Sequence, residues 1–424
     1  MEEAGSGQLI RELKLKRLQF NSISEFSSTL YSSFDIDHIV RVFFSTVMGQ
    51  MGISRIFLYD RENSIFRKRG FSFSGEGDGR FVADLNTLTL DSEIQRVEEL
   101  GEERRTIREK LLEYRIHYLI PVESGDKHVI VGLGLKFNLQ NLNKDELELA
   151  SFIARFAMIA VNNSIMVNRI IESQRIEHEI RIARDIQQSL LPQSIPELEN
   201  FDLCVEYRPI HEVGGDYYDI LERRQDGCPV LIADVEGKGL PAALLAASSQ
   251  AVFHAVNDLF DSSAGKFVAK ANCLICDFTR CSRFITVFWM LVDEKRRRVT
   301  YVNAGHEPPF HIDNAGRVRR LEKGGFLAGF MPEAVYEQEE LVLEPGEVVV
   351  AFTDGVVEVE DPNGNEFGRK RLEELTAAQR HLPARELTGR IVAGLEAFAQ
   401  GSPCRDDFTL MVLKCRQGRR ELDK

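Results

Sequence analysis

Cysteine is absent from the first 203 residues, and tryptophan occurs once in 424. No run of about 18 apolar residues is present, so no membrane-spanning helix is expected. The N-terminus, MEEAGSGQLIRELKLK, has no apolar core behind a basic start, so no secretory signal is expected and the cytoplasm is the default compartment. Basic residues are outnumbered: 53 Lys and Arg stand against 66 Asp and Glu, a formal net charge of −13. That balance disfavours non-specific binding to nucleic acid or to an anionic membrane, and neither is expected as a partner. All seven cysteines lie after residue 203, and their one cluster is Cys273-x2-Cys276-x4-Cys281. Zinc would need a second ligand pair, which is missing. Phe267, Val268, Ala271, Leu274, Ile275 and Phe278 recur around the cluster at helical spacing, so it reads as reduced thiols in a buried helix. There is no internal repeat and no low-complexity tract.

What is present is enough chain for two or three domains. Residues 1–20 form an amphipathic lead-in through Leu9, Ile10, Leu13, Leu18 and Phe20. Helical periodicity runs from Ile23 to Met51, with Asp35-Ile-Asp37 as an N-cap. A strand follows at Ile53–Asp60, then a glycine-rich loop over residues 71–81 and a charged helix over Ser92–Tyr114. His117–Val122 and Val129–Lys136 read as a hairpin about Ser124-Gly-Asp126. From Leu147 to about Leu191 the pattern is helical without Gly or Pro, about 65 Å at helical rise. Ile176, Ile180, Ala183, Gln187 and Leu190 keep a 4-3-4-3 spacing, a heptad seam, while upstream the frame passes through the polar Ser173 and Arg169, and Val161 and Ile165 do not join it. Leu191-Pro192 ends the helix.

The C-terminal half alternates strands with helical stretches, and its aspartates sit at strand mouths. Gly214-Gly215-Asp216 opens a strand over Tyr217–Arg223, with Asp219 inside it. Pro229–Ala233 is a buried strand that emerges at Asp234, and Gly237 and Gly239 turn the chain into a helix near Leu240-Pro241. Glu347–Thr353 runs into Asp354-Gly355, and Asp406-Asp407 precedes the last strand, Phe408–Leu413. Each aspartate alone suits a cap or a turn. Together they offer hard oxygen ligands from separate strands, which is what two divalent cations require.

GGDYYD, ADVEGKGLPAALL, YVNAGHEPP, FTDGVVE and DDFTLMV, in this order, resemble the PPM-type metal-dependent protein phosphatases, and within them the SpoIIE/RsbU branch of bacterial serine/threonine phosphatases. The resemblance runs from about Ala183 to Arg416. It implies an α-β-β-α sandwich holding two Mn2+ or Mg2+ ions, with catalysis through metal-activated water. Asp216 and Asp234 would bridge or bind the metals, with the Val235 carbonyl as a further ligand. Asp354 and Asp406 would complete the second coordination sphere, and Asp219 and Asp407 would orient waters or ligands. His306 would either donate a proton or fix its loop. The substrate implied is a phosphorylated anti-anti-sigma (STAS) protein whose dephosphorylation switches on a sigma-factor pathway. No phosphate-clamping arginine can be assigned; Arg208 is the nearest candidate. Glu236 stands where relatives usually carry a small or neutral residue.

Over residues 21–165 the order helix, strand, loop, hairpin, long helix resembles a GAF domain, carried by Asp35–Val40, Ile53–Asp60, Leu119–Val122 and Asp145 through Ala160. That resemblance implies a sensor for a small, unidentified ligand. The chain is therefore expected to be an α+β multidomain protein. A lead-in (1–20) precedes a GAF-like α/β/α sensor (21–165). A helical linker (166–192) follows, either a parallel dimeric coiled coil or a rigid connector, then the phosphatase domain (193–417) and a tail (418–424). The rival reading is a catalytically inactive scaffold of the same fold, which retention of all four carboxylates disfavours. Nucleotide cyclase chemistry, raised by the letters GGD, fails because Tyr217-Tyr218 follow in place of an acid and Phe.

Overall fold

The structure is a computed structural model. It describes residues 34–72, 76–86, 88, 93–124, 127–210, 212–259 and 263–417. The amphipathic lead-in and the pattern around Ile23–Leu30 lie outside the described residues. The chain divides into two compact units, Met1–Arg175 and Ile176–Lys424.

In the first unit, helix α1 (Ile36–Met51) begins where the Asp35 carboxylate accepts from Asp37 N at 2.8 Å and ends on Gly52 at φ 60°. Strands β1 (Ile56–Asp60) and β2 (Ile65–Arg69), then helix α2 (Glu76–Leu85), β3 (Gln95–Arg96), helix α3 (Arg105–Glu113), β4 (Tyr118–Ser124) and β5 (Lys127–Leu133) follow. The sheet is antiparallel in the order β2-β1-β5-β4-β3. One face packs Leu58, Ile120 and Val131 against Phe43 and Val47 of α1 and against the start of helix α4 (Lys144–Leu190). The other packs Phe57, Tyr59 and Ile130 against Phe81, Leu85, Ile107 and Leu111.

Two sequence expectations fail here. The glycine-rich loop is helical from Glu76, because Phe81 and Leu85, one turn apart, can both enter the core. The charged helix over Ser92–Tyr114 is broken, with β3 and two short 3-10 turns preceding α3.

Helix α4 is 47 residues long and crosses the division between the units. By length and mean hydropathy it could span a bilayer, contrary to the sequence expectation. Ala150, Ile153, Ala154, Ala157, Met158 and Val161 account for much of that apolar character by filling the core of the first unit.

The second unit stacks two sheets between two helix layers. One sheet takes β7 (Tyr217–Ile220), β8 (Cys228–Val235), β9 (Ile285–Asp293), β10 (Arg298–Ala304), β13 (Gly324–Gly325) and β14 (Glu339–Val342). The other takes β6 (Phe201–Arg208), β11 (Phe310–Ile312), β12 (Val318–Arg320), β15 (Val348–Phe352) and β16 (Phe408–Cys415). Val230, Ile232, Phe288 and Tyr301 of the first meet Leu203, Val349, Met411 and Leu413 of the second in the central core. Helices α5 (Leu240–Val256) and α6 (Ala264–Thr279) cover the first sheet through Phe253 and Phe267. After the short α7 (Asp354–Val357), α8 (Arg369–Gln379) and α9 (Ala384–Ala399) cover the second. The arrangement is an α-β-β-α sandwich, the one that the sequence resemblance implies. Strand β7 stops at Ile220, short of the expected Arg223, because Arg224 and Gly227 close a tight turn.

Candidate active site

Strand register brings the aspartates together. Tyr217 pairs with Ala233 across β7 and β8, so the next step in the antiparallel ladder sets Asp216 opposite Asp234. On the other sheet Phe352 pairs with Leu410, so Thr353 meets Thr409, and Asp354 emerges beside the mouth of β16, where Asp406 and Asp407 lie. Asp216 then ties the sheets together. Its Oδ2 accepts from Thr353 Oγ1 at 2.7 Å and from Thr409 Oγ1 at 2.5 Å.

Backbone approach needs glycine at two of these points. A Cβ on Gly355 would lie 2.0 Å from the Asp407 carbonyl oxygen. One on Gly215 would lie 3.2 Å from the Val235 oxygen, which puts that carbonyl against the Gly214-Gly215 turn. Asp407 holds the turn from the far side: Oδ2 accepts from Gly215 N at 2.6 Å and Oδ1 from Ile210 N at 2.8 Å.

The carboxylates disturb one another. Burial, then the neighbouring Asp234, holds the Asp216 carboxyl well above the usual range. Asp234 is pushed up to about 7 by burial and then by Asp354, Asp406 and Asp407, with Lys238 opposing. Asp354 is raised by burial and then by Asp406. An all-oxygen set that repels itself in this way calls for added positive charge, and a hard divalent cation matches its chemistry. Among the described residues no three His, Cys, Asp or Glu side chains form a ready ligand cluster. The Lys238 ammonium donates to Asp406 Oδ2 at 2.5 Å and to the Arg405 carbonyl at 3.0 Å.

Two residues take other places. Asp219 does not reach this centre. Strand alternation puts it on the face of Tyr217, where it accepts from the Tyr217 hydroxyl and lies 2.8 Å from His254 Nε2 on α5. His306 is buried, its Nδ1 lies 2.8 Å from Thr286 Oγ1, and that hydroxyl reaches the Asp234 carbonyl at 3.4 Å. Burial pushes the imidazole down to about 3. The ring is therefore neutral near pH 7, which suits a role in fixing its loop. Arg208 is engaged by Glu206 and Glu396, each at 2.8 Å.

Sequence reasoning missed Thr353, Thr409, Lys238 and Gln187. The threonines flank known aspartates within FTDG and DDFT, and that adjacency was the available signal. Gln187, inside the long helix, donates to the Gly214 carbonyl at 2.7 Å and accepts from Gly214 N at 3.1 Å.

Residues 224–416 match the family described as Stage II sporulation protein E (SpoIIE), a span that includes Asp234, Asp354 and Asp406 and begins after Asp216. The chain is 32% identical over 244 residues to phosphoserine phosphatase RsbU of Bacillus subtilis (strain 168), covering 57% of this chain and 71% of that one. It belongs to the SpoIIE/RsbU family of serine/threonine phosphatases. It is also 29% identical over 261 residues to protein IcfG of Synechocystis sp. (strain ATCC 27184 / PCC 6803 / Kazusa), covering 55% of this chain and 41% of IcfG. The chain thus spans less than half of that relative's length. The solved SiaA-PP2C domain of Pseudomonas aeruginosa shares the fold at TM-score 0.51 and 22% identity, over 57% of this chain and 98% of that domain.

Proposed function

We propose that the second unit hydrolyses phosphoserine or phosphothreonine in a partner protein, using two Mn2+ or Mg2+ ions held by Asp216, Asp234, the Val235 carbonyl, Asp354 and Asp406. The observation that carries this reading is geometric: strand register sets Asp216 beside Asp234, Thr353 and Thr409 tie Asp216 to the ends of the other sheet, and Gly355 brings Asp354 against the Asp406-Asp407 backbone. When bound, the ions would supply an activated water and neutralise the phosphoryl oxygens. The chain's own residues supply the frame. Thr353 and Thr409 fix one Asp216 oxygen and leave Oδ1 for a ligand role. Asp407 holds the Gly214-Gly215 turn, and His306 acts through Thr286 to position the Asp234 backbone.

The substrate proposed is a phosphorylated STAS-type protein, in keeping with family membership and with a relative named as a phosphoserine phosphatase. Regulation is assigned to the first unit, read as a GAF-like sensor for a small ligand, and to α4. The double hydrogen bond between Gln187 and Gly214 supports the helix as the carrier, because it joins the linker to the turn before Asp216. A homodimer is proposed through α4, in a reducing cytoplasm that seven unpaired cysteines suit. Gln187, one position of the expected seam, is turned toward Gly214, and the same heptad column continues upstream. Phe152, Ile159 and Met166, spaced by seven, are about half exposed or more and give the helix an apolar stripe that a second copy would cover.

The test is phosphate release from a phospho-STAS protein with and without Mn2+, in wild type, Asp234→Ala and Asp354→Ala. Metal-dependent release abolished in both variants is expected. Release without metal, or variants that match wild type, would reject the mechanism, and no release from wild type under any condition would favour the inactive scaffold.

A further inference from the structure

A recess of about 140 Å³ opens beside Asp406. Val359, Val392, Leu395, Ala399 and Phe408 make its walls, so α9 and the start of β16 build it together. Its chemistry is opposite to that of the neighbouring acids. The cationic side chain at its rim is Arg208, whose guanidinium is taken up by Glu206 and Glu396. Two of the three guanidinium nitrogens are already engaged there, and the walls themselves are aliphatic and aromatic. An apolar group fits better: a cavity of roughly 150 Å³ lined by aliphatic and aromatic side chains accepts a group the size of benzene.

Position identifies the occupant. Asp406 belongs to both places: its residue lines the recess, while its carboxylate accepts from Lys238 and its backbone lies against Gly355, next to Asp354. A polypeptide whose phosphate sits among the acids therefore passes the recess with residues close in its own sequence. We propose that this recess is a specificity subsite that takes an aliphatic side chain of the substrate phosphoprotein, near the phosphorylated serine or threonine. The inference rests on the phosphatase reading and sharpens it, because it makes the enzyme read sequence as well as phosphate.

The test uses the full chain with Mn2+ and two kinds of substrate. One is p-nitrophenyl phosphate, which has no neighbouring residues. The other is a set of phosphoserine peptides with Leu, Val, Ala or Asp placed in turn at each position within three residues of the phosphoserine. Cys404 is exposed at the rim, so Cys404→Trp would cap the recess without disturbing the core, and Ala399→Leu would narrow it from α9. Wild type is expected to favour an aliphatic residue at one position by roughly ten- to hundredfold in kcat/KM over Asp. Both variants should lose most of that preference while keeping turnover of p-nitrophenyl phosphate within about twofold of wild type. Wild type without any positional preference, a preference that survives in both variants, or p-nitrophenyl phosphate turnover falling in step with peptide turnover would each overturn the subsite. If wild type hydrolyses neither substrate, the phosphatase reading itself falls and takes the subsite with it.

Discussion

His306 provides a measurement that separates its two possible roles. Burial holds its pKa at about 3 in the folded protein, whereas an exposed histidine titrates near 6.5. Between these values the unfolded chain binds a proton that the native chain does not. The contribution of a neutral buried imidazole is therefore complete above about pH 6.5 and is lost as pH falls toward 3. The slope is about 1.4 kcal/mol per pH unit, and integrating from pH 7 to pH 5.5 gives a loss of about 1.3 kcal/mol. The raised aspartates slope the other way, because an acid with an elevated folded pKa favours the native state as pH falls. Wild type alone would blend the two effects. The difference between wild type and His306→Gln isolates the histidine, since both share the aspartates. Urea unfolding in chelator at pH 7 and pH 5.5, followed by fluorescence of the single tryptophan, Trp289, in the second unit, should show that difference shrinking by about 1.3 kcal/mol at the lower pH. A pH-independent difference would mean that the imidazole is not held neutral by burial. The proton-donor role would then reopen, and it would require kcat to lose activity through an ionisation that vanishes in the Gln variant.

Four further outcomes follow from the geometry. Thr353→Val and Thr409→Val each remove one hydroxyl from the Asp216 carboxylate, at an expected cost of about 1.5–3 kcal/mol of stability each, and the double variant should bind Mn2+ more weakly by calorimetry. Gly355→Ala drives a methyl against the Asp407 carbonyl and should destabilise the second unit by about 1–3 kcal/mol or more, read as a lower unfolding midpoint. Lys238→Met removes the ammonium that competes for Asp406, so Mn2+ affinity should rise by up to about fivefold; a fall would place Lys238 outside that competition. Gln187→Leu removes two hydrogen bonds of about 1 kcal/mol each to Gly214, and should shift basal kcat by severalfold while lowering the urea unfolding midpoint by an amount that corresponds to about 2 kcal/mol.

The parts legible from sequence share one cause. Strands such as Val230–Ala233 and Val348–Phe352 are apolar on both faces, so their burial and the emergence of Asp234 and Asp354 at their ends can be read without coordinates. Pairing partners are a different matter. That Asp216 stands opposite Asp234 depends on the register between Tyr217 and Ala233, and that Thr409 reaches Asp216 depends on how one sheet lies on the other. No local pattern encodes either. Asp219 shows the limit from the other side. Its spacing of three from Asp216 looks like partnership, but period-two alternation sends it to α5.

Gln187 carries the same lesson into regulation. In a heptad seam a lone polar residue reads as a register device facing a second helix. The structure gives that amide a nearer partner, Gly214, whose N–H and C=O it satisfies together. An isolated backbone turn would otherwise find those bonds in water. Leu190, one turn on, gives its carbonyl to Gln250 of α5, the same residue that reaches Asp219. The end of the long helix is thus bound at two points, through the Gln187 side chain to Gly214 and through the Leu190 carbonyl to Gln250, and both depend on the rotational setting of the helix. Rotation of α4 by even one residue, 100° at helical geometry, would break both at once. Under the proposed regulation, turning the helix would remove the Gln187 hold on the Gly214-Gly215 turn without touching the aspartates, and would leave Asp407 as the hold that remains.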